Sequence, residues 1–497
     1  MGVIKRQSIK NSLVNYLGVL IGAISVIFIY PQIHPTDLGI IQFTLNTAIL
    51  FAPIAAFSSN MTAIQYYPLF KDEKKQDNGF FLLMTGITLI TAFIFIFFVY
   101  IFSISISTVF GKDKIHFINS LPYILLFTVF IALSNLYQSI TANFNRIVIP
   151  SIFQNLLLKI TQPLLILSFA YGFIAFADIF KGLSISLSLM VVGLLGYLFF
   201  LRKFNLTLPI LRGGILSKLW RKMVEYASFN ILVTLGSIMA MRIDQILVAA
   251  ILGFQQNAVF SFGFFISEAI DVPRKALSSI AAPLISESIM ANRMEHVAEI
   301  YRKSALIQLI VGAYILAGTW ACADALFDLM PKNAAIYREG KYVILFLGLS
   351  RVLDMATGPN TEIITLSQYY RFNFVSFLAM AVLNTLLNFL LIPMFGIEGS
   401  AIATLLSIII INIWRLVFIK NKLGFHPLSI KMLIPIVMAF IAWLFVWFIP
   451  TVSNPIFTIF IKASILTLIY WSCIYYFSIS EDVNALITKM IRGFVQN

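Results

Sequence analysis

The stretch Leu383 to Ser407 reads LNTLLNFLLIPMFGIEGSAIATLLS. Its first half is an apolar run in which Asn384 and Asn388 fall four residues apart, on one face of a helix. Pro393 removes a backbone donor and ends that run. Gly396 and Gly399 then supply the small, conformationally free positions that reverse the chain at once into a second apolar run. This layout is unlike a soluble core and predicts a tight transmembrane hairpin.

The composition extends that reading to the whole chain. Of 497 residues, 60% are apolar and 11% are charged, against roughly a quarter charged in ordinary soluble domains. The mean hydropathy is +0.92. Lys5, Arg6 and Lys10 precede an apolar run with no small-residue cleavage site, so this run is expected to stay as the first span. Counting runs long enough to cross about 30 Å of hydrocarbon gives about fourteen spans, near 12–31, 40–60, 80–103, 118–141, 150–171, 178–200, 226–250, 256–278, 304–323, 342–366, 372–394, 398–417, 431–450 and 456–476. The expected class is an all-α polytopic membrane protein.

An even number of spans puts both termini on one side. Lys and Arg concentrate in the loops on that side, most heavily at Arg202, Lys203, Arg212, Lys218, Arg221 and Lys222, which predicts that both termini are cytoplasmic. The net charge of +14 reflects this bias, and no nucleic-acid motif or nucleic-acid partner is indicated. Cys322 and Cys473 lie far apart, and His34, His116, His296 and His426 fall in expected loops without ligand spacing, so neither a disulfide framework nor a metal site is expected. The runs KDEKK at 71–75 and RMEHVAEIYRK at 293–303 read as solvated cytoplasmic connectors, with a short interfacial helix as the alternative for the latter.

The chain also repeats itself. NSLVNYLGVLIGAISVI (Asn11 to Ile27) parallels FNILVTLGSIMAMRIDQIL (Phe229 to Leu247), and the run after Arg146 matches in character the run after Arg371. Each half holds an even number of spans, so the halves share an orientation and are related by an axis along the membrane normal. The expected organisation is a six-helix lobe over 1–200, a basic cytoplasmic linker over 201–225, a second six-helix lobe over 226–420, and an added helix pair with a cytoplasmic tail over 421–497. Two pseudo-symmetric lobes facing a central cavity suit alternating access.

Charges within spans cost about 2.5–3.5 kcal/mol each on insertion scales, so each calls for a partner, a wet cavity or a function. Lys159 lies mid-span just after Gln154 and Asn155. Arg351 and Asp354 share a later span, Arg242 and Asp244 another, and Glu268, Asp271 and Arg274 form an i, i+3, i+6 stripe with Lys275 beside it. The functional reading assigns Lys159, Arg351, Arg242 and Arg274 to a diphosphate, because fixed cations pair with phosphate oxygens. Asp244, Glu268, Asp271 and Asp354 are the candidates for coupling to Na+ or H+, and Gln154, Asn155, Asn384 and Asn388 for polar cavity lining. The competing reading is structural ion pairing, Arg351 with Asp354 and Asp271 with Arg274 or Lys275, and interhelical hydrogen bonding for the asparagines. No catalytic dyad and no Gly-rich phosphate-binding loop is visible, so neither an enzyme nor direct use of ATP is indicated.

The hairpin at 383–407, the segment MRIDQILVAAILGFQQNAVFSFGFFISEAIDVPRKALSSIAAPLIS (Met241 to Ser286) and the opening VNYLGVLIGAISVIFIYPQIHPTDLGIIQF resemble polysaccharide and lipid-linked oligosaccharide flippases. These belong to the multidrug/oligosaccharidyl-lipid/polysaccharide (MOP) exporter superfamily. The resemblance covers nearly the whole chain. It implies a cationic cavity that carries an undecaprenyl-diphosphate-linked oligosaccharide across the bacterial inner membrane for O-antigen or other surface polysaccharide biosynthesis. It also implies no cofactor beyond a coupling ion, with membrane lipid, a polysaccharide polymerase and other assembly proteins as partners. The extra helix pair resembles lipid II flippases, which keeps that cargo as an alternative. An ion-coupled multidrug or organic-cation antiporter of the same superfamily is the other, and the basic residues Lys159 and Arg351 count against it.

Overall fold

The structure is a computed structural model and describes residues 14, 17–70, 79–144, 146, 148–201 and 215–495. Among the described residues all regular structure is helical. In chain order the helices are α1 (Leu17–Gln32), α2 (Pro35–Phe70), α3 (Phe80–Ile101), α4 (Lys114–Asn143), α5 (Val148–Ala170), α6 (Phe176–Leu201) and α7 (Ile215–Leu252). They continue as α8 (Phe254–Met290), α9 (Met294–Ala321), α10 (Lys341–Ala356) and a stretch Tyr370–Leu423 that bends at Gly396 into α11 (370–395) and α12 (397–423). The last are α13 (Leu433–Trp447), α14 (Pro455–Tyr476) and α15 (Glu481–Val495).

Each expected span overlaps one of these helices, and the span expected at 342–366 is broken at Thr357–Pro359 into α10 and a short helix, Asn360–Leu366. Ten described helices are long and apolar enough to cross a bilayer, and the 54-residue stretch at 370–423 supplies two of the spans. The three expected spans outside the ten are α1 and α10, which are short, and α8, which carries Glu268, Asp271, Arg274 and Lys275. The chain is a multi-pass membrane protein.

The hairpin forms, but Pro393, expected to end the first arm, lies inside the helix, and the bend comes three residues later at Gly396. Gly396 takes φ +60°, ψ −139°, a conformation that side chains disfavour. A Cβ on Gly399 would fall 2.1 Å from the Leu391 carbonyl oxygen, so the two arms meet at backbone distance. Asn384 and Asn388 are fully buried; Asn388 Nδ2 donates to Asn384 Oδ1 at 2.9 Å and Ser400 Oγ donates to Asn388 Oδ1 at 2.6 Å. Their hydrogen bonds tie α11 to α12 in a setting where no water competes for them.

The packing divides into two compact units, Met1–Ala258 and Val259–Asn497. In the first, α2 packs on α4 and α7, and α4 on α6. In the second, α10 packs on α9 and on the α11–α12 pair, while α13 and α14 close over α9. Ile310, Ala313 and Ala317 of α9 meet Ala439, Ala442, Val446, Leu466, Tyr470 and Ile474 there, and Tyr470 donates to the Ile310 carbonyl at 2.8 Å. The alanines let the helices approach closely, so the added pair belongs to the core of its unit.

Two connectors read differently from the sequence. Residues 294–303, expected as a solvated connector or a short interfacial helix, are helical but form the first turns of α9, where Val297 and Tyr301 are fully buried against Ile363, Ile364 and Phe425. Of the basic linker expected at 201–225, residues 202–214 lie outside the described residues, and from Ile215 the chain is already α7. Lys5, Arg6, Lys10 and the run at 71–75 also lie outside them.

Candidate functional site

In the first unit, Gln154, Asn155 and Lys159 sit at an irregularity. Phe153–Leu157 forms a widened π-turn inside α5, which adds a residue to the turn and re-aims the side chains that follow. Gln154 Nε2 donates to Asn135 Oδ1 of α4 at 3.2 Å. Lys159 is half-buried against α1 at Gly18, where an added Cβ would lie 3.3 Å from Lys159 Nζ and 3.1 Å from the Asn155 carbonyl oxygen. The missing side chain at Gly18 is what leaves room for the ammonium.

Arg242 lies on another helix pair of the same unit. The buried face of α2 carries Gln42, Thr44, Asn46 and Thr47, an uncommon run of polar groups for a membrane span. Arg242 Nη1 donates to Asn46 Oδ1 at 2.6 Å, and Asn46 Nδ2 donates in turn to Gln245 Oε1. Asp244 is 2% exposed on the same turn of α7. Gln245 Nε2 and Thr47 Oγ1 are buried there without a hydrogen-bond partner.

In the second unit Glu268, Asp271, Arg274, Lys275, Arg351 and Asp354 form one connected network. Arg351 of α10 donates to Glu268 of α8 at 2.5 Å and lies over the Phe264 ring at 5.8 Å. Lys275 reaches Glu268 at 3.1 Å and Asp271 at 3.2 Å. Arg274 pairs with Asp271 at 2.5 Å and with Asp354 at 3.5 Å, and Asp354 accepts from Asn412 of α12 at 3.0 Å. The stripe of α8 pairs as its spacing suggests. Arg351 and Asp354 do not pair with one another: α8 crosses close enough to offer each an opposite charge. Pro273 sits among these pairs inside α8 and removes one helical hydrogen bond there.

The network continues to a residue that the sequence reading passed over. Asn360 donates to Asn412 Oδ1 at 3.1 Å, Thr361 donates to Asn360 Oδ1 at 3.1 Å, and Arg415 Nη1 donates to Thr361 Oγ1 at 3.2 Å. Arg415 is 4% exposed; its Nε and Nη2 donate to Ser376 Oγ of α11 at 3.0 and 2.9 Å, and its guanidinium covers Phe377 at 4.7 Å. Arg415 falls near the end of the span expected at 398–417. The available signal was Asn412 three residues earlier, which puts two polar groups on one face of IIIINIWRLVF.

Lys159, Gln154 and Asn155 are thus brought together on α5, and Arg351, Arg274, Glu268, Asp271 and Asp354 between α8 and α10. Asn384 and Asn388 are engaged within their hairpin. Among the described residues no group of three or more His, Cys, Asp or Glu is arranged to hold a metal ion.

No protein-family model and no curated protein matches the sequence. Solved structures do match the fold. A lipid II flippase, MurJ, in an inward closed conformation superposes with a TM-score of 0.73 at 14% identity, covering 94% of this chain and 98% of that one. An inward-facing multidrug resistance MATE family transporter of the MOP superfamily superposes with a TM-score of 0.62 at 12% identity, covering 82% of this chain and 94% of that one. A MOP superfamily transporter from Pyrococcus furiosus gives 0.55 at 14% identity, covering 85% and 95%. The match to the flippase reaches into the helix pair after residue 420. The chain has the all-helical membrane fold that these MOP-superfamily transporters and the MurJ flippase share.

Proposed function

We propose that this protein is a flippase that moves undecaprenyl-diphosphate-linked oligosaccharide units from the cytoplasmic to the outer leaflet of the bacterial inner membrane. It works by alternating access and makes or breaks no covalent bond. The observation that carries this reading is the seat of Lys159: a cation within a membrane span, held at a π-turn and given room by Gly18 on the facing helix. A diphosphate is a partner that repays placing an ammonium there. Arg242, on the polar seam of α2 and α7, is a second such cation, and Arg351 and Arg274 are further diphosphate candidates.

An organic-cation antiporter calls for carboxylates open to the cargo. Here Glu268, Asp271 and Asp354 are each engaged by a basic side chain. With Asp244 they suit coupling to Na+ or H+ better than cargo binding. A lipid II-type cargo is the second reading, favoured by the superposition that extends into the α13–α14 pair. Both cargoes present the same diphosphate.

Binding of a polyprenyl-diphosphate saccharide to the purified protein tests the site. One charge-assisted contact contributes about 1.5–3 kcal/mol, so Lys159→Ala is expected to weaken binding on the order of tenfold to a hundredfold while Lys159→Arg retains most of it. Unchanged affinity in a folded Lys159→Ala protein would remove Lys159 from the site. Competition by organic cations would favour the antiporter.

A further inference from the structure

α7 is longer than a bilayer is thick. Its 38 residues extend about 57 Å, whereas a bilayer with both headgroup layers measures about 40–45 Å. Arg221 and Lys222 lie about 46 Å along the helix axis from Leu252, which is the depth of the opposite headgroup layer. The basic loops put that end on the cytoplasmic side.

One face of this end is turned outward. Met223 and Ala227 are buried, and the Tyr66 and Tyr226 rings meet edge to face at 5.7 Å, fixing the end of α7 to the end of α2. On the exposed stripe, Leu232 (51%) and Phe229 (44%) give way within a turn or two to Glu225, Lys222 and Arg221, with Trp220 (45%) beside them. The stripe therefore passes from side chains that suit acyl tails to side chains that suit headgroups, with the Trp220 indole beside the charged end. Neither Arg221 nor Lys222 forms an ion pair among the described residues, although Glu225 is only a turn away. Arg202, Lys203, Arg212 and Lys218 add to the positive charge of the preceding sequence.

We propose that the cytoplasmic end of α7 is a docking surface for anionic phospholipid headgroups of the inner leaflet, with Arg221 and Lys222 as the phosphate contacts. Guanidinium and ammonium groups held outward at headgroup depth attract anionic lipid, whereas basic residues in solvated loops need touch none. The proposal does not depend on what the protein transports.

The test uses Trp220 as a local reporter. The full chain is reconstituted in vesicles of phosphatidylcholine or phosphatidylglycerol carrying brominated acyl chains, and quenching is compared between wild type and Trp220→Phe to isolate the Trp220 signal. At about 1 kcal/mol per basic residue near the surface, wild type is expected to favour phosphatidylglycerol about fivefold or more at this site, and less at high salt. The preference is expected to vanish in Arg221→Gln/Lys222→Gln and to persist in Arg221→Lys/Lys222→Arg. Both variants change exposed side chains, and an unchanged thermal midpoint checks that they fold. Equal quenching by the two lipids would overturn the proposal, as would a preference that survives the double glutamine variant. Preference for an added polyprenyl diphosphate without preference for phosphatidylglycerol would also overturn it.

Discussion

Gly39→Ala is expected to cost at least about 3 kcal/mol of stability, or to leave no recoverable folded protein, the severe end of the range for overpacking. A Cβ at this position would lie 1.8 Å from the Phe254 carbonyl oxygen and 2.6 Å from its carbonyl carbon. The obstacle is backbone, so no side chain can swing aside. Relief requires α2 to withdraw from the α7–α8 turn, and much is built on that contact. Asn257 Nδ2 donates to the Gly39 carbonyl at 3.2 Å, and Asp113 accepts from the Phe254 amide at 3.1 Å. Gly253 holds φ +97° to make the turn. The buried Phe254 ring packs against Phe43 at 5.3 Å and Phe110 at 6.4 Å, with Phe117 stacked on Phe110 at 4.4 Å. Gly86→Ala is the control, since nothing lies within 4 Å of its added Cβ. Thermal unfolding in detergent should separate the two variants, and a Gly39→Ala protein as stable as Gly86→Ala would contradict the packing described.

Glu268→Gln is expected to destabilise the second unit by about 3 kcal/mol, the lower end of the range for removing one partner of a buried ion pair. Arg351 is 8% exposed, and its Nε is buried without a hydrogen-bond partner, so Glu268 supplies its close charge compensation. Lys275 also loses an anion but is half exposed and can turn to water. The double variant Glu268→Leu/Arg351→Met removes both charges and should recover much of the loss, because no uncompensated guanidinium remains. Additive losses in the double-mutant cycle would show that the two residues are not coupled.

What the sequence made legible follows from what periodicity can carry. Apolar run length located the spans, and the Asn384, Asn388, Gly396 and Gly399 spacing described the hairpin because its contacts are local, although the helix runs on through Pro393 to bend at Gly396. The stripe Glu268, Asp271, Arg274 was visible for the same reason. Contacts across helices were not. Nothing in the spacing of Arg351 says that Glu268, rather than Asp354, will face it, since that depends on how α8 crosses α10. Arg415 was hidden because a cation near a span end usually reaches water, whereas here the helix at 360–366 covers it. The π-turn at Phe153–Leu157 and the backbone contact at Gly39 leave no periodic signature, and they shape the surroundings of Lys159 and Phe254.

Transport of a lipid-linked diphosphate is read out by leaflet exchange. The wild-type chain would be reconstituted in liposomes with a fluorescent undecaprenyl-diphosphate oligosaccharide confined to one leaflet, and the appearance of label in the other leaflet followed with a membrane-impermeant quencher. Protein-dependent exchange well above that of empty liposomes is expected. No exchange, together with efflux of an organic cation driven by a sodium or proton gradient, would contradict it.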